Sequence, residues 1–160
     1  MQFTSFEAFA RHLATLAEQQ DRALKKGLVV AVRAIEKTAK SEIGYYQPAT
    51  GPFSAWRKLA PSTQADRVAK GFAPNKPLLR TGKLKDSISY QVAGLHAAVG
   101  STSDVMVAQE LGTSRIPARA VLGPAALRSI PAVKAAIGHA AMQGILPAGY
   151  AGAANYRFTV

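Results

Sequence analysis

The chain has 160 residues, 48% of them apolar, and a formal net charge of +11, a size that suits one domain with a buried core. It contains no cysteine, which excludes a disulfide framework and a thiolate zinc site. No apolar stretch has the length of a bilayer span, and the N-terminus lacks the basic-then-apolar order of a signal peptide. We therefore expect a single domain over residues 1–160, made in the cytoplasm, with no membrane partner.

The N-terminal quarter predicts a long amphipathic helix. Thr4 to Glu7 has the order of a capping box with Thr4 as the cap. Apolar residues then recur at steps of three and four up to Ile43, and Gly44 predicts the end. One helix or two collinear helices fit this pattern, because Gly27 indicates either a break or a close approach of another backbone.

Residues 45–77 predict a loop-rich, basic insertion. Two irregular stretches containing prolines flank one short helix, which begins at Pro61 and is stopped by Gly71. Trp56 is expected to anchor the insertion in the core. Loops of this length are uncommon in compact domains unless they bind a partner or are disordered.

The next segment predicts a small antiparallel sheet. Thr81 and Gly82 form a turn or cap, and residues 87–92 then alternate apolar and polar, as a half-buried strand does. A turn over residues 93–96 returns the chain as a β-hairpin. Residues 120–122 predict a further, short edge strand.

The C-terminal part predicts further helices. Asp104 is expected to cap a short helix that Gly112 stops, and Pro124 and Pro131 favour helix starts or a kink. Residues 146–160 predict a terminal strand or a loose arm. The expected fold class is α+β, with a long N-terminal helix and a C-terminal helix packed on a small, mostly antiparallel sheet and with a long basic loop.

The residues that carry catalysis or bind metals are sparse. The three histidines, His12, His96 and His139, stand in no recognised motif and have no metal-ligand spacing. No glycine pattern fits a phosphate-binding loop. We therefore predict no catalytic residue, no cofactor and no metal, and we do not expect an enzyme.

The positive charge is concentrated between residues 50 and 85. Eight basic residues there stand against Asp66 alone, which gives this segment a charge of +7. Such a segment attracts polyanions or an acidic partner, or it serves as a solubilising face. The predicted contacts for DNA or a partner are Arg57, Lys58, Arg67, Lys70, Lys76, Arg80, Lys83, Lys85, Arg115 and Arg119.

Three ordered motifs carry a family resemblance. The first has the form Leu-x-x-Thr-Gly-x-Leu-x-x-Ser-Ile, the second contains Ala-x-Glu-x-Gly-Thr, and the third contains Leu-x-Pro-Ala. Their order and spacing resemble tail-completion and head–tail joining (neck) proteins of long-tailed bacteriophages, and Trp56 to Thr63 resembles phage virion-morphogenesis proteins. Val107 and Leu111 replace the usual aromatics. The assembly residues implied are Leu79, Thr81, Gly82, Leu84, Ser87, Glu110, Gly112, Thr113 and Pro124.

The resemblance implies a structural virion protein that assembles into a ring, expected to be a hexamer, at the head-proximal end of the tail. Its partners would be itself, the tail tube and the head–tail connector proteins, with non-specific contact to packaged DNA. The particle could be a phage, a prophage remnant, a tail-like bacteriocin or a gene-transfer particle. The alternative is a non-specific nucleic-acid-binding module that uses the basic 50–85 segment.

Two features of the motifs lead to structural expectations. Glu110 is expected to pair with a basic residue such as Arg119 or Arg80, within or between subunits, or else to be an exposed glutamate of little energetic weight. Gly82 and Gly112 are expected to permit tight turns near the subunit interface.

Overall fold

The computed structural model describes residues 3–146 and has the predicted α+β class. The two strands form one antiparallel hairpin. The elements, in chain order, are α1 (Phe6–Glu42), α2 (Pro61–Ala69), α3 (Lys83–Asp86), β1 (Ile88–Ala93), β2 (His96–Ser101), α4 (Asp104–Leu111), α5 (Leu122–Arg128) and α6 (Ile130–Ile145).

The contacts group the described residues into two compact units, and the single domain expected from the sequence stays a prediction. Within the described residues, the helical unit comprises 3–32, 92–97 and 131–146, and the core unit comprises 33–91 and 98–130. Helix α1 and the hairpin each contribute residues to both units.

Helix α1 is one continuous helix of 37 residues, so the alternative of two collinear helices is wrong. Its cap is Ser5, whose Oγ accepts the Ala8 N–H at 3.1 Å, and the predicted cap at Thr4 is also wrong. Gly27 does mark a close approach, because a Cβ there would lie only 2.5 Å from the Ala140 Cβ.

The helical unit is built on this close approach of α1 and α6. A Cβ at Gly144 would lie 2.7 Å from the Gln20 Cα. Because Gly27 faces Ala140 and Gln20 faces Gly144, the two helices run antiparallel. Small residues are required here, since a larger side chain would force the two backbones apart.

The core unit is organised around one buried apolar cluster, to which α1, β1, α4, α5 and the loops beside them contribute. Its members are Ala39, Ile43, Trp56, Ile88, Met106, Val121 and Ala125. Alternate residues of β1 are buried as predicted, starting from Ile88, which is 1% exposed. The core therefore joins the end of α1 to the hairpin, α4 and α5.

Two of the predicted local features are wrong in the core unit. Residues 120–122 form no strand, since Val121 is fully buried as the residue before α5 and Leu122 begins that helix. Asp104 is the first residue of α4 and not its cap, and Ser103, in the cap position, makes no side-chain cap hydrogen bond.

The insertion at residues 45–77 is tied to the core by side-chain hydrogen bonds. Trp56 is 6% exposed, and its Nε1–H donates to the Ala120 carbonyl at 2.9 Å, which confirms the predicted anchor. Arg128 donates to the Pro48 carbonyl at 3.3 Å and to Thr50 Oγ1 at 2.6 Å. The predicted terminal strand or arm covers residues 146–160. Of these, only Leu146 lies within the described range.

Candidate interaction site

Glu110 caps the N-terminus of α5. Its carboxylate accepts the backbone N–H groups of Val121 at 2.7 Å, Leu122 at 3.1 Å and Gly123 at 3.0 Å. The next residue, Pro124, has no N–H to satisfy. All the backbone donors that the first turn leaves without intrahelical partners are therefore accounted for, and the negative charge lies at the positive end of the helix dipole.

This geometry overturns the expected ion pair of Glu110 within the subunit and also the alternative of an unimportant, exposed side chain. A pair between subunits stays a prediction. Arg119 is buried and donates through Nε and Nη2 to the Arg57 carbonyl at 3.2 and 3.0 Å. Burial lowers the pKa of Arg119. Arg80 pairs with Asp66 at 2.9 Å and lies over the Phe72 ring.

The two motif glycines have the backbone conformations expected of tight turns. Gly82 precedes α3 with φ +89°. Gly112 ends α4 with φ +75° and ψ 173°, a region that is essentially restricted to glycine. A Cβ at Gly112 would also lie 3.0 Å from the Ala118 nitrogen.

The other motif residues also have structural roles. Leu79 and Leu84 pack against the buried cluster, and the Ser87 and Ser101 hydroxyls are hydrogen-bonded at 2.7 Å. Thr113 Oγ1 accepts the N–H groups of the next loop residues, and Pro124 is buried. Most motif positions therefore specify the fold of the core unit, while Thr81 is exposed.

Thr81 lies in a groove of about 920 Å³ in the core unit. The groove is bordered by α2, α3, α4 and the loop that follows Gly112. No aspartate or glutamate lines it. Its basic lining residues are Arg57, Lys58, Arg67, Arg80, Lys83, Arg115 and Arg119.

The predicted basic contacts differ in availability. Arg67 is buried and donates to the carbonyls of Ala73 at 3.0 Å, Lys76 at 2.8 Å and Leu79. Like Arg119, it serves to hold the chain in place, so neither of these two predicted contacts offers a free cationic group.

Three further predicted contacts have local partners or lie elsewhere. Lys70 pairs with Asp66 at 2.5 Å, and this hydrogen bond is the main reason why the pKa of Asp66 is lowered from 3.8. Lys76 lies over the Tyr45 ring at 4.3 Å. Lys85 lines a separate, shallow groove beside α1.

Arg80 is already paired with Asp66. The remaining four predicted contacts are available. Arg57, Lys58, Lys83 and Arg115 are exposed, and each lines the groove without an ion pair to any residue in the range 3–146. This arrangement can attract and hold an anionic ligand.

The sequence interpretation missed the ion pair of Glu42 and Arg128. Glu42 is 4% exposed and accepts a hydrogen bond from Arg128 Nη1 at 2.5 Å. Burial raises the pKa of Glu42 above 4.5, although Arg128 opposes the rise. The two residues are 86 positions apart, and only the tertiary structure brings them together.

Across residues 3–146, no cluster of three or more histidine, aspartate or glutamate side chains could hold a metal ion. No helix in that range combines the length and apolarity needed to cross a membrane. No protein-family model, curated protein or solved structure matches this chain.

Proposed function

We propose that this chain is a structural bacteriophage virion protein that forms a ring at the head-proximal end of the tail, completes the tail and joins it to the head. The observation that carries the proposal is the convergence of its ordered motifs. Glu110 of the second motif binds the backbone at Leu122 and Gly123, next to Pro124 of the third. The spacing on which the resemblance depends therefore corresponds to contacts within one folded unit.

Exposed apolar side chains on α4 also support assembly. Val107 is 59% exposed and Leu111 is 77% exposed, and their spacing of four places them on one side of the helix. These are also the two positions at which the resembling family has aromatics. Exposed apolar surface of this kind is typical of contacts between subunits.

Electron microscopy of particles made without this gene tests the role. We expect filled heads separate from tails, or tails of uncontrolled length. Intact virions of normal appearance would refute the proposal.

Sedimentation of the purified protein tests ring formation. We expect a species of about six times the 16.9 kDa chain mass, and we expect V107S/L111S to dissociate it. The matched control is Val68→Ser, which changes a side chain on α2 that is 60% exposed. A wild-type chain that stays monomeric at every concentration would contradict the ring.

The alternative of a nucleic-acid-binding module stays a prediction, tested by salt-dependent binding of short DNA. The support that aromatic side chains gave to this alternative is weaker, because Trp56 is buried and the Trp56 Nε1–H is already hydrogen-bonded. The support that remains for this alternative is electrostatic.

A further inference from the structure

The basic groove of the core unit combines two features that no single small anion would use together: unpaired cations and an apolar floor. From this combination we infer that the groove binds an extended acidic polypeptide segment whose acidic residues alternate with apolar ones. The inference goes beyond the virion role and stands whether or not the chain forms a ring.

The cations set the sign of the ligand. Arg57, Lys58, Lys83 and Arg115 surround the groove, and none of its described lining residues carries a carboxylate. Charges of one sign around a concave surface concentrate the field and raise the local concentration of an oppositely charged ligand. The ligand is therefore anionic.

The floor requires the ligand to carry apolar groups as well. Leu59, Leu78, Leu84 and Ile116 are half-buried lining residues, and Val105 lines the groove while remaining 55% exposed. Successive side chains of an extended polypeptide point to opposite sides. An alternating segment can thus direct apolar side chains to the floor and carboxylates to the cationic rim.

The lining of the groove favours a polypeptide over a nucleic acid. Its apolar floor matches apolar side chains, which a phosphodiester backbone does not carry. None of the lining residues within the range 3–146 is aromatic, so that part of the chain supplies no stacking platform typical of single-strand binding there.

Charge also indicates that the segment comes from another protein. Of the nine acidic residues of this chain, six already form ion pairs and Glu110 caps α5. Residues 147–160, outside the described range, contain no aspartate or glutamate. Neither this segment nor a second copy offers an unpaired acidic run.

Fluorescence anisotropy of the full chain tests the inference with three labelled probes. One is a ten-residue peptide of alternating Glu and Leu, the second replaces Leu by Ser, and the third is a ten-nucleotide oligo-dT. We expect the Glu–Leu peptide to bind about tenfold more tightly than either of the other two, because only it covers both the rim and the floor.

The double variant K83E/R115E should weaken binding of the Glu–Leu peptide about tenfold or more. The control K26E/K134E makes the same change of net charge at exposed side chains of the helical unit and should change binding less than about twofold. Val105→Ser should weaken binding of the Glu–Leu peptide about threefold and leave binding of the Glu–Ser peptide unchanged. Circular dichroism verifies folding, and K58E replaces the double variant if that variant unfolds.

Two results would overturn the inference. Oligo-dT binding as tight as that of the Glu–Leu peptide, and lost in K83E/R115E, would show that the groove takes nucleic acid. An equal loss in K26E/K134E would show that attraction to the net charge alone explains the binding.

Discussion

Replacing Glu110 with alanine removes the group that satisfies three backbone N–H donors at the start of α5. The bonds measure 2.7, 3.1 and 3.0 Å, and the Val121 donor belongs to a residue that is fully buried. One buried donor without a partner costs about 1–3 kcal/mol, and loss of a helix cap costs about 0.5–2 kcal/mol. We therefore expect Glu110→Ala to lower the free energy of unfolding by about 1.5–5 kcal/mol.

This loss is a substantial fraction of the total stability of a typical domain, which is about 5–15 kcal/mol. Urea unfolding followed by fluorescence measures it directly, because the single tryptophan, Trp56, lies in the same core. Glu110→Gln keeps one acceptor oxygen but places an amide donor against the remaining N–H groups. We expect it to lose about half as much stability as Glu110→Ala.

Asp104→Ala is the matched control for Glu110→Ala. It removes one carboxylate from the same helix, but Asp104 is exposed and lies in the first turn of α4. We expect it to cost less than about 1 kcal/mol through the helix dipole. Equal losses in E110A and D104A would refute the argument that the three hydrogen bonds stabilise the fold.

Three further predictions concern other buried positions. Because burial raises the pKa of Glu42 above 4.5, the folded chain keeps that proton to a higher pH than the unfolded chain. Wild type should therefore lose stability relative to E42Q as pH rises from about 4.5 through the raised pKa. Urea unfolding at pH 4 and pH 7 measures the difference in unfolding free energy between the two proteins, and a difference that does not change with pH would contradict the prediction. Gly112→Ala should lower the free energy of unfolding by about 1–3 kcal/mol, because the Gly112 backbone lies in the glycine-only region. Thermal unfolding measures this loss, and the control Ala108→Gly on α4 should lower the free energy of unfolding by only about 1 kcal/mol. Gly27→Leu should lower the melting temperature, because a Cβ there would already lie 2.5 Å from the Ala140 Cβ. Lys26→Leu, at the exposed neighbouring position, is the control. A melting temperature of Gly27→Leu at or above that of Lys26→Leu would be inconsistent with a close helix crossing.

The local signals in the sequence were sufficient for most element boundaries. Apolar residues at helical spacing predicted α1, and Pro61 and Gly71 marked the limits of α2. Alternation predicted β1, where Ile88 is buried and Ser89 is exposed. These features depend on neighbours within a few residues, so the sequence determines them with little help from packing.

The local signals failed where long-range contacts compete with them. Residues 120–122 have the composition of a strand, but Glu110 binds the N–H groups of Val121 and Leu122 and directs the chain into a helix. Ser5 and Thr4 are both good caps by type, and only the path of the backbone decides between them. Competition of this kind cannot be resolved from composition.

The candidate site was predicted only in part. The basic 50–85 segment and Arg115 contributed the four available cations of the groove. The same reasoning included Arg67 and Arg119, which donate to backbone carbonyls in the folded core unit. Nothing in their local sequence distinguishes these two buried arginines from the exposed Arg57 and Arg115.

By itself, the sequence determined the class of fold, the positions of most helices, the turn glycines and the sign of the charge. The tertiary structure decided which charges are available and which are used internally, since Arg119 meets the Arg57 carbonyl 62 positions away. It also assembled one groove from residues between Arg57 and Arg119. The physical reason is that helix propensity and turn conformation depend on near neighbours, whereas the partner of a charged side chain depends on which backbone groups folding leaves within its reach.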